Sequence, residues 1–143
     1  MASLIYNNFL EELLKANIDF ENDTFKLALV TSSYTPDRDT HDNFDDITNE
    51  VSGTGYTAGG AALANLTVTQ DNTNDKAVFD AYDVTWASST ITARAGILYK
   101  VGAWASTSPL IGYIDFTEDK VSTVGNFIVS FNVSGIITVG ESA

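Results

Sequence analysis

The chain has 143 residues, of which 44% are hydrophobic and 11% are aromatic, enough to bury the core of one ordinary domain. It contains no cysteine, which excludes disulfide frameworks, cysteine-ligated metals and thiol nucleophiles. Nineteen acidic residues against seven basic ones give a net charge of −12, and the resulting field repels nucleic-acid phosphates and anionic membrane surfaces. We therefore expect a single domain over residues 1–143, with neither nucleic acid nor a membrane as its partner.

The N-terminal segment has the pattern of an amphipathic helix. From Ile5 to Ala16, apolar residues recur at spacings of three and four, and acidic residues occupy the opposite side. Ser3 is the expected N-cap and Asn17 the expected stop, so the predicted helix covers about residues 3–16. The segment has no basic start and its apolar stretch is interrupted by acids, so no export signal is expected.

The remainder of the chain, about residues 20–140, has the composition of β-structure. Short runs rich in Val, Ile, Thr, Tyr and Phe are separated by Asp, Asn, Ser and Gly. The predicted strands are Phe25–Thr31, Ala61–Thr69, one or two within Val78–Trp86, Ile91–Val101, Leu110–Phe116, Phe127–Val133 and Ile136–Val139. These runs, with no later helical segment, predict a mainly β fold: an antiparallel β-sandwich or barrel preceded by one N-terminal amphipathic α-helix.

Alternation within two of these runs predicts which side chains face inward. Phe25, Leu27 and Leu29 share one face of the first strand. In the run Ile91–Val101 the odd-numbered residues are apolar, so we expect that face to be buried. The polar sequence Asp71–Asp75 predicts a tight turn.

An acid-rich run over residues 37–50 contains the only histidine, His41. A calcium loop that starts at Asp37 would need glycine where Asp42 stands and glutamate where Thr48 stands, so the spacing fails. We expect a solvated loop and no metal site, although weak cation binding by this run stays open.

No enzymatic pattern emerges, and we expect neither catalytic residues nor a cofactor. The chain lacks a Gly-x-Ser-x-Gly elbow, and His41 would be the only imidazole base for a triad. Gly53–Gly60 lacks the Gly-Lys-Ser/Thr of a phosphate loop and predicts instead a loop with positive φ angles. A second class of function is a carbohydrate-binding module, in which aromatic side chains form a stacking platform; core packing is the favoured interpretation for these residues: Tyr56, Tyr82, Trp86, Tyr99, Trp104 and Tyr113.

Several segments, in order along nearly the whole chain, resemble a family of small structural proteins encoded by tailed bacteriophages. The segments that carry the resemblance are Leu4–Leu10, Lys26–Asp37, Asp39–His41, Thr48–Gly60, Asp71–Asp75, Val84–Trp86 and Thr90–Arg94. The resemblance implies a non-enzymatic virion protein, made in the host cytoplasm and placed on the outer capsid surface as a decoration or cement protein. A neck, tail or baseplate component is the alternative that it leaves open.

For such a protein the expected partners are the major capsid protein and copies of the chain itself, in a homo-oligomer. Two segments are the interface candidates, because aromatic anchors in adaptable segments often dominate binding energy. The first is the glycine-rich loop, represented by Glu50, Thr54, Tyr56 and Thr57, and the second is the N-terminal helix, represented by Tyr6, Phe9 and Leu10.

Overall fold

A computed structural model describes residues 2–141, which form two antiparallel sheets and one helix near the N-terminus. The strands are β1 (Leu4–Ile5), β2 (Phe25–Val30), β3 (Ala61–Ala62), β4 (Thr67–Asp71), β5 (Lys76–Asp80), β6 (Val84–Lys100), β7 (Leu110–Val129) and β8 (Ile137–Gly140); the helix is α1 (Asn7–Leu14). The mainly β prediction is confirmed, and the described residues form two sheets without a closed barrel.

The larger sheet has the order β1-β7-β6-β2-β3 and the smaller one the order β4-β5-β8. They share the main core, in which Phe25 of β2 lies 5.7 Å from Phe79 of β5 between ring centroids. As predicted, Leu27 and Leu29 lie with Phe25 in this core. Burial of these side chains is the main force that holds the two sheets together.

A second apolar cluster covers the opposite face of the larger sheet. Ala28 and Val30 of β2 belong to it, together with Ile97 and Tyr99 of β6. The acid-rich run supplies its cover, because the Phe44 ring stacks on Tyr99 at 4.2 Å between ring centroids. The predicted solvated loop is therefore exposed through its acids and anchored through its apolar residues.

The N-terminal prediction is partly wrong. Residues Leu4 and Ile5 pair with β7 as a short strand, and the helix begins only at Asn7. Tyr6 is extended and donates its backbone N–H to the carbonyl of Ile111. Ser3 does not cap the helix; its hydroxyl accepts the backbone N–H of Asp115. Pairing with the edge of β7 therefore stabilises the extended form of Leu4 and Ile5 more than their helical spacing stabilises a helix.

Two strand predictions are also corrected. The run Ala61–Thr69 is divided between β3 and β4, which belong to different sheets, and Asn65 turns between them with φ of 55°. The runs that begin at Leu110 and Phe127 are parts of one strand, β7. Bulges in this strand interrupt the alternation of apolar residues, so the sequence does not show that the strand is continuous. The turn predicted at Asp71–Asp75 is confirmed as the connection of β4 and β5, where Asp71 accepts backbone N–H groups.

The inward face predicted for β6 is buried, but in two different cores. Ile91 and Ala93 lie in the main core, whereas Ala95 and Ile97 lie in the second cluster. The register between β6 and β7 shifts between Ala93 and Ala95, where four residues of β7 stand opposite one of β6, and the odd-numbered side chains of β6 change from one core to the other at this point. Leu98 consequently lies in the main core.

Candidate functional site

Strands β6 and β7 form a long hairpin whose distal half leaves the larger sheet. Strand β2 pairs only with Ala95–Lys100 of β6, so Val84–Ala93 has β7 as its only strand neighbour among the described residues, apart from one bridge between Thr90 and Thr54. One side of this ribbon carries Trp86 and Phe127, whose rings meet edge to face in the main core. The other side is exposed.

The exposed side of the ribbon, which we call the hairpin face, has no charged residue. It consists of Thr85, Ala87, Ser88, Thr90, Thr92, Val121, Thr123, Val124, Asn126 and Ile128, all exposed. Val121, Val124 and Ile128 are 66%, 80% and 55% exposed, which is unusual for aliphatic side chains. On a chain with a net charge of −12, such a face is suited to contact another protein surface.

Val124 presents its side chain from a strained backbone. Its φ angle is 46°, in the left-handed region that β-branched residues avoid. It lies where two residues of β7 stand between the pairs Ser89–Gly125 and Ile91–Ser122, so the bulge is on β7. Strained residues of this kind concentrate at functional sites, which supports the hairpin face as a contact surface.

A cleft of about 640 Å³, which we call the edge cleft, lies along the outer edge of β7 beside the hairpin face. Its apolar wall includes half-buried residues from β7 and from the loop before β8, where the main core opens to solvent: Ile114, Phe116, Phe131 and Ile136. Lys120 lines the cleft, as does Asp115, which pairs with Arg94 at 3.2 Å. The edge cleft is thus mostly apolar, with a polar rim.

The glycine-rich loop, our first interface candidate, is attached to the body of the protein. The Tyr56 hydroxyl donates to Glu50 at 2.7 Å and accepts the backbone N–H of Leu29 at 2.9 Å. Glu50 also accepts the backbone N–H of Gly59 at 2.6 Å. Burial, followed by the neighbouring Glu50 carboxylate, raises the pKa of the Tyr56 phenol well above its usual range. These two side chains hold the loop against the body, and a partner contact through them stays a prediction.

Of the other residues proposed in that loop, Thr54 forms a backbone bridge with Thr90 beside the hairpin face. Thr57 is exposed. The loop has the positive φ angles that its glycines predicted, with 82° at Gly55 and 78° at Gly60. Gly60 is required by packing as well, because a Cβ there would lie 2.0 Å from the carbonyl oxygen of Leu27.

The N-terminal candidates are divided between interior and surface. Tyr6 and Phe9 are 0% and 1% exposed, so they pack within the chain and leave the set of interface candidates. Leu10 is 48% exposed and lines a smaller groove of about 390 Å³ beside β1. That groove shares Ser3, Ile114 and Ile136 with the edge cleft, so Leu10 lies in a groove adjacent to the edge cleft.

The acidic run uses its carboxylates as local hydrogen-bond acceptors. Asp37 accepts the backbone N–H groups of Asp39 and Thr40, and the first of these bonds is the main cause that lowers the pKa of the Asp37 carboxyl. Asp46 likewise accepts the N–H groups of Asp42 and Asn43. Within residues 2–141, no group of three or more His, Asp or Glu side chains is arranged to hold a metal ion.

The aromatic residues considered as a sugar platform do not form one surface. Tyr56, Trp86, Tyr99 and Tyr113 pack against the two cores, which supports the core-packing interpretation. Tyr82 and Trp104 are 64% and 75% exposed, but they lie in the separate loops that precede and follow β6. Sequence analysis missed the hairpin face; the available signal was the absence of charge from both Val84–Ala93 and Val121–Val129.

With this geometry established, the chain can be compared with known proteins. It matches no protein-family model, no curated protein and no solved structure. In the part of the chain that the structure describes, no helix has the length and apolar character needed to cross a bilayer. The hairpin face and the edge cleft are therefore the features of this chain that bear on its function.

Proposed function

We propose that this chain is a structural protein of a bacteriophage particle that binds the outer surface of the capsid as a decoration protein. The observation that carries the proposal is the hairpin face, an exposed β-surface without charge on a strongly acidic molecule. The resemblance of the sequence segments to phage structural proteins gives the partner class, the major capsid protein.

Electrostatics support an outer rather than an inner position. A net charge of −12 is repelled by packaged nucleic acid, so the outside of the shell is favourable. The hairpin face offers aliphatic and hydroxyl groups that can be desolvated without burying an unpaired charge. The contact area of one narrow ribbon is small, and repetition of the contact over a lattice supplies avidity that a single contact lacks.

Binding to capsids that lack the protein tests this proposal. Purified protein is titrated against such capsids and the bound copies are counted; decoration predicts saturation at a number that scales with the capsid lattice. Saturation at one vertex would refute decoration in favour of the neck or tail alternative. Absence of binding would refute capsid attachment.

A matched pair of variants tests the hairpin face itself. Ala87→Glu with Thr92→Glu adds two acids to the face, and Thr69→Glu with Thr138→Glu adds two acids at exposed positions of the smaller sheet. Both double variants have the same net charge. We expect at least a tenfold loss of capsid affinity for the first and less than a twofold change for the second. Equal effects would show that the hairpin face is not the contact.

A further inference from the structure

Within residues 2–141, no strand pairs with the outer edge of β7 along the distal half of the hairpin. Strand β7 pairs with β6 through most of its length, but on its other side β1 covers only Gly112 and Tyr113. Between Gly125 and Val129 the one irregularity in the pairing lies on β6, where Ala87 and Ser88 stand opposite Asn126, so this part of β7 contains no extra residue. Its outward N–H and C=O groups are a template for a further strand.

The other free edges are less suitable for pairing. Strand β3 has two residues, β4 ends in Asp71, and β8 is followed directly by Glu141. By contrast, Val121–Val129 contains no acid, and the nearest charge along the chain is the positive one of Lys120. Two copies of a chain with a net charge of −12 can therefore meet along this edge without bringing carboxylates together.

We propose that the occupant of this edge is a second copy of the same chain, and that Gly125–Val129 pairs antiparallel with itself about a two-fold axis. Phe127 then faces Phe127 of the other copy, and Asn126 faces Ile128. This is an isologous contact in which both copies contribute the same surface. It concerns contact between copies and does not depend on capsid binding.

The edge cleft supplies the apolar part of the contact. Phe127 lies on its inner side, 6.2 Å from Phe116 between ring centroids. In the paired arrangement the second copy's strand covers Phe131 and Ile136, which are only partly buried in one chain. On the opposite side, the two hairpin faces join into one uncharged four-stranded surface. The bulge on β7 at Val124 ends the stretch of β7 that is available for pairing, so the contact has a defined length.

Charge substitutions at the predicted cross-axis pair test the proposal. Asn126 and Ile128 are exposed on the same face of β7, so replacing both by Asp places acids opposite acids in the dimer. Light scattering after size-exclusion chromatography should give twice the 15.4 kDa chain mass for the wild type and the monomer mass for Asn126→Asp/Ile128→Asp. We expect at least a tenfold higher dissociation constant for this variant.

A control variant and a charge-complementation experiment distinguish loss of strand pairing from misfolding. Val68→Asp/Gln70→Asp makes the matched change on exposed residues of the edge strand β4 and should remain dimeric. Asn126→Lys/Ile128→Lys should be monomeric alone, yet form a heterodimer when mixed with the Asp variant. The proposal would be overturned by a monomeric wild type or by an Asp variant that is still dimeric. It would also be overturned if the β4 control lost the dimer or if the mixture of Lys and Asp variants failed to associate.

The two proposals fail separately. Loss of self-association in the Asp variant with lattice-scaled capsid binding by the wild type would support both. Lattice-scaled binding by a wild type that is monomeric would overturn the pairing alone. A wild-type dimer that does not bind capsids would overturn the capsid role alone.

Discussion

A chain of hydrogen bonds, which we call the hydroxyl chain, links the Tyr6 and Tyr34 hydroxyls to the His41 ring and provides a test of the second apolar cluster. The hydroxyls of Tyr6 and Tyr34 are 2.9 Å apart, and Tyr34 lies 2.8 Å from His41 Nδ1. Because the backbone N–H of Asp37 also donates to Nδ1, this nitrogen is an acceptor. Tyr34 therefore donates to His41, and Tyr6 donates to Tyr34.

Replacement of Tyr34 by Phe removes the acceptor of a buried donor. Tyr6 is 0% and Tyr34 4% exposed, so the orphaned Tyr6 hydroxyl should cost about 1–3 kcal/mol in unfolding free energy. Tyr6→Phe leaves the Tyr34–His41 bond intact and should cost only about 0.5–1.5 kcal/mol. The double variant leaves no orphan at position 6, so its loss should be smaller than the sum of the single losses by about 1 kcal/mol.

Urea denaturation of the four proteins measures these differences. With an m-value of about 2 kcal/mol/M, a loss of about 2 kcal/mol lowers the midpoint by about 1 M. Additive losses in the double variant, or a Tyr34→Phe protein within about 0.5 kcal/mol of the wild type, would show that the hydroxyl chain does not contribute as described.

Three further predictions concern stability: two test residues with positive φ angles, and one tests the buried tyrosine phenols. Gly60→Ala should lower the unfolding free energy by more than about 2 kcal/mol, because residue 60 has a positive φ and an added Cβ would meet the Leu27 carbonyl. The control Gly140→Ala adds a Cβ with only ordinary contacts, so it should change the melting temperature little. Val124→Asn should raise the melting temperature, because Asn tolerates the left-handed backbone better; a lower temperature would contradict the strain argument. Burial raises the pKa of Tyr34 and of Tyr99 to about 12, so the stability that depends on their protonated phenols is complete below about pH 10 and is lost between about pH 10 and 12, by up to about 1 kcal/mol per pH unit for each phenol. Denaturation midpoints across this range measure the loss, and Tyr34→Phe should make the fall shallower.

The fold class was predictable because the patterns that determine it are local. Alternation at Phe25, Leu27 and Leu29 indicated a strand with one face in the core, and the turn at Asp71–Asp75 has the residues that such a turn needs. The short strand β1 was not predictable, because the periodicity of Ile5 and Phe9 fits a helix and only the distant edge of β7 makes the extended form favourable.

The candidate site was less predictable than the fold. Tyr56 has the composition of an exposed anchor in a glycine-rich loop, yet Glu50 and the backbone of Leu29 hold its hydroxyl inside. The hairpin face depends on bulges that shift the register between β6 and β7. Alternation counted along the sequence cannot locate such shifts, because each one reverses the side chains that follow it.

The largest of these irregularities separates the ribbon from the rest of the hairpin. Ala93 pairs with Lys120 and Ala95 with Asp115, so Phe116–Asp119 faces a single residue of β6, and Thr117 takes a left-handed conformation with φ of 69°. Within this segment only Phe116 packs against the main core, and Thr117, Glu118 and Asp119 are exposed. Because Trp86, Ile91 and Phe127 bury the inner side of the ribbon in the main core, the uncharged surface is held rigidly on the body, and a partner that binds it has little conformational entropy to remove.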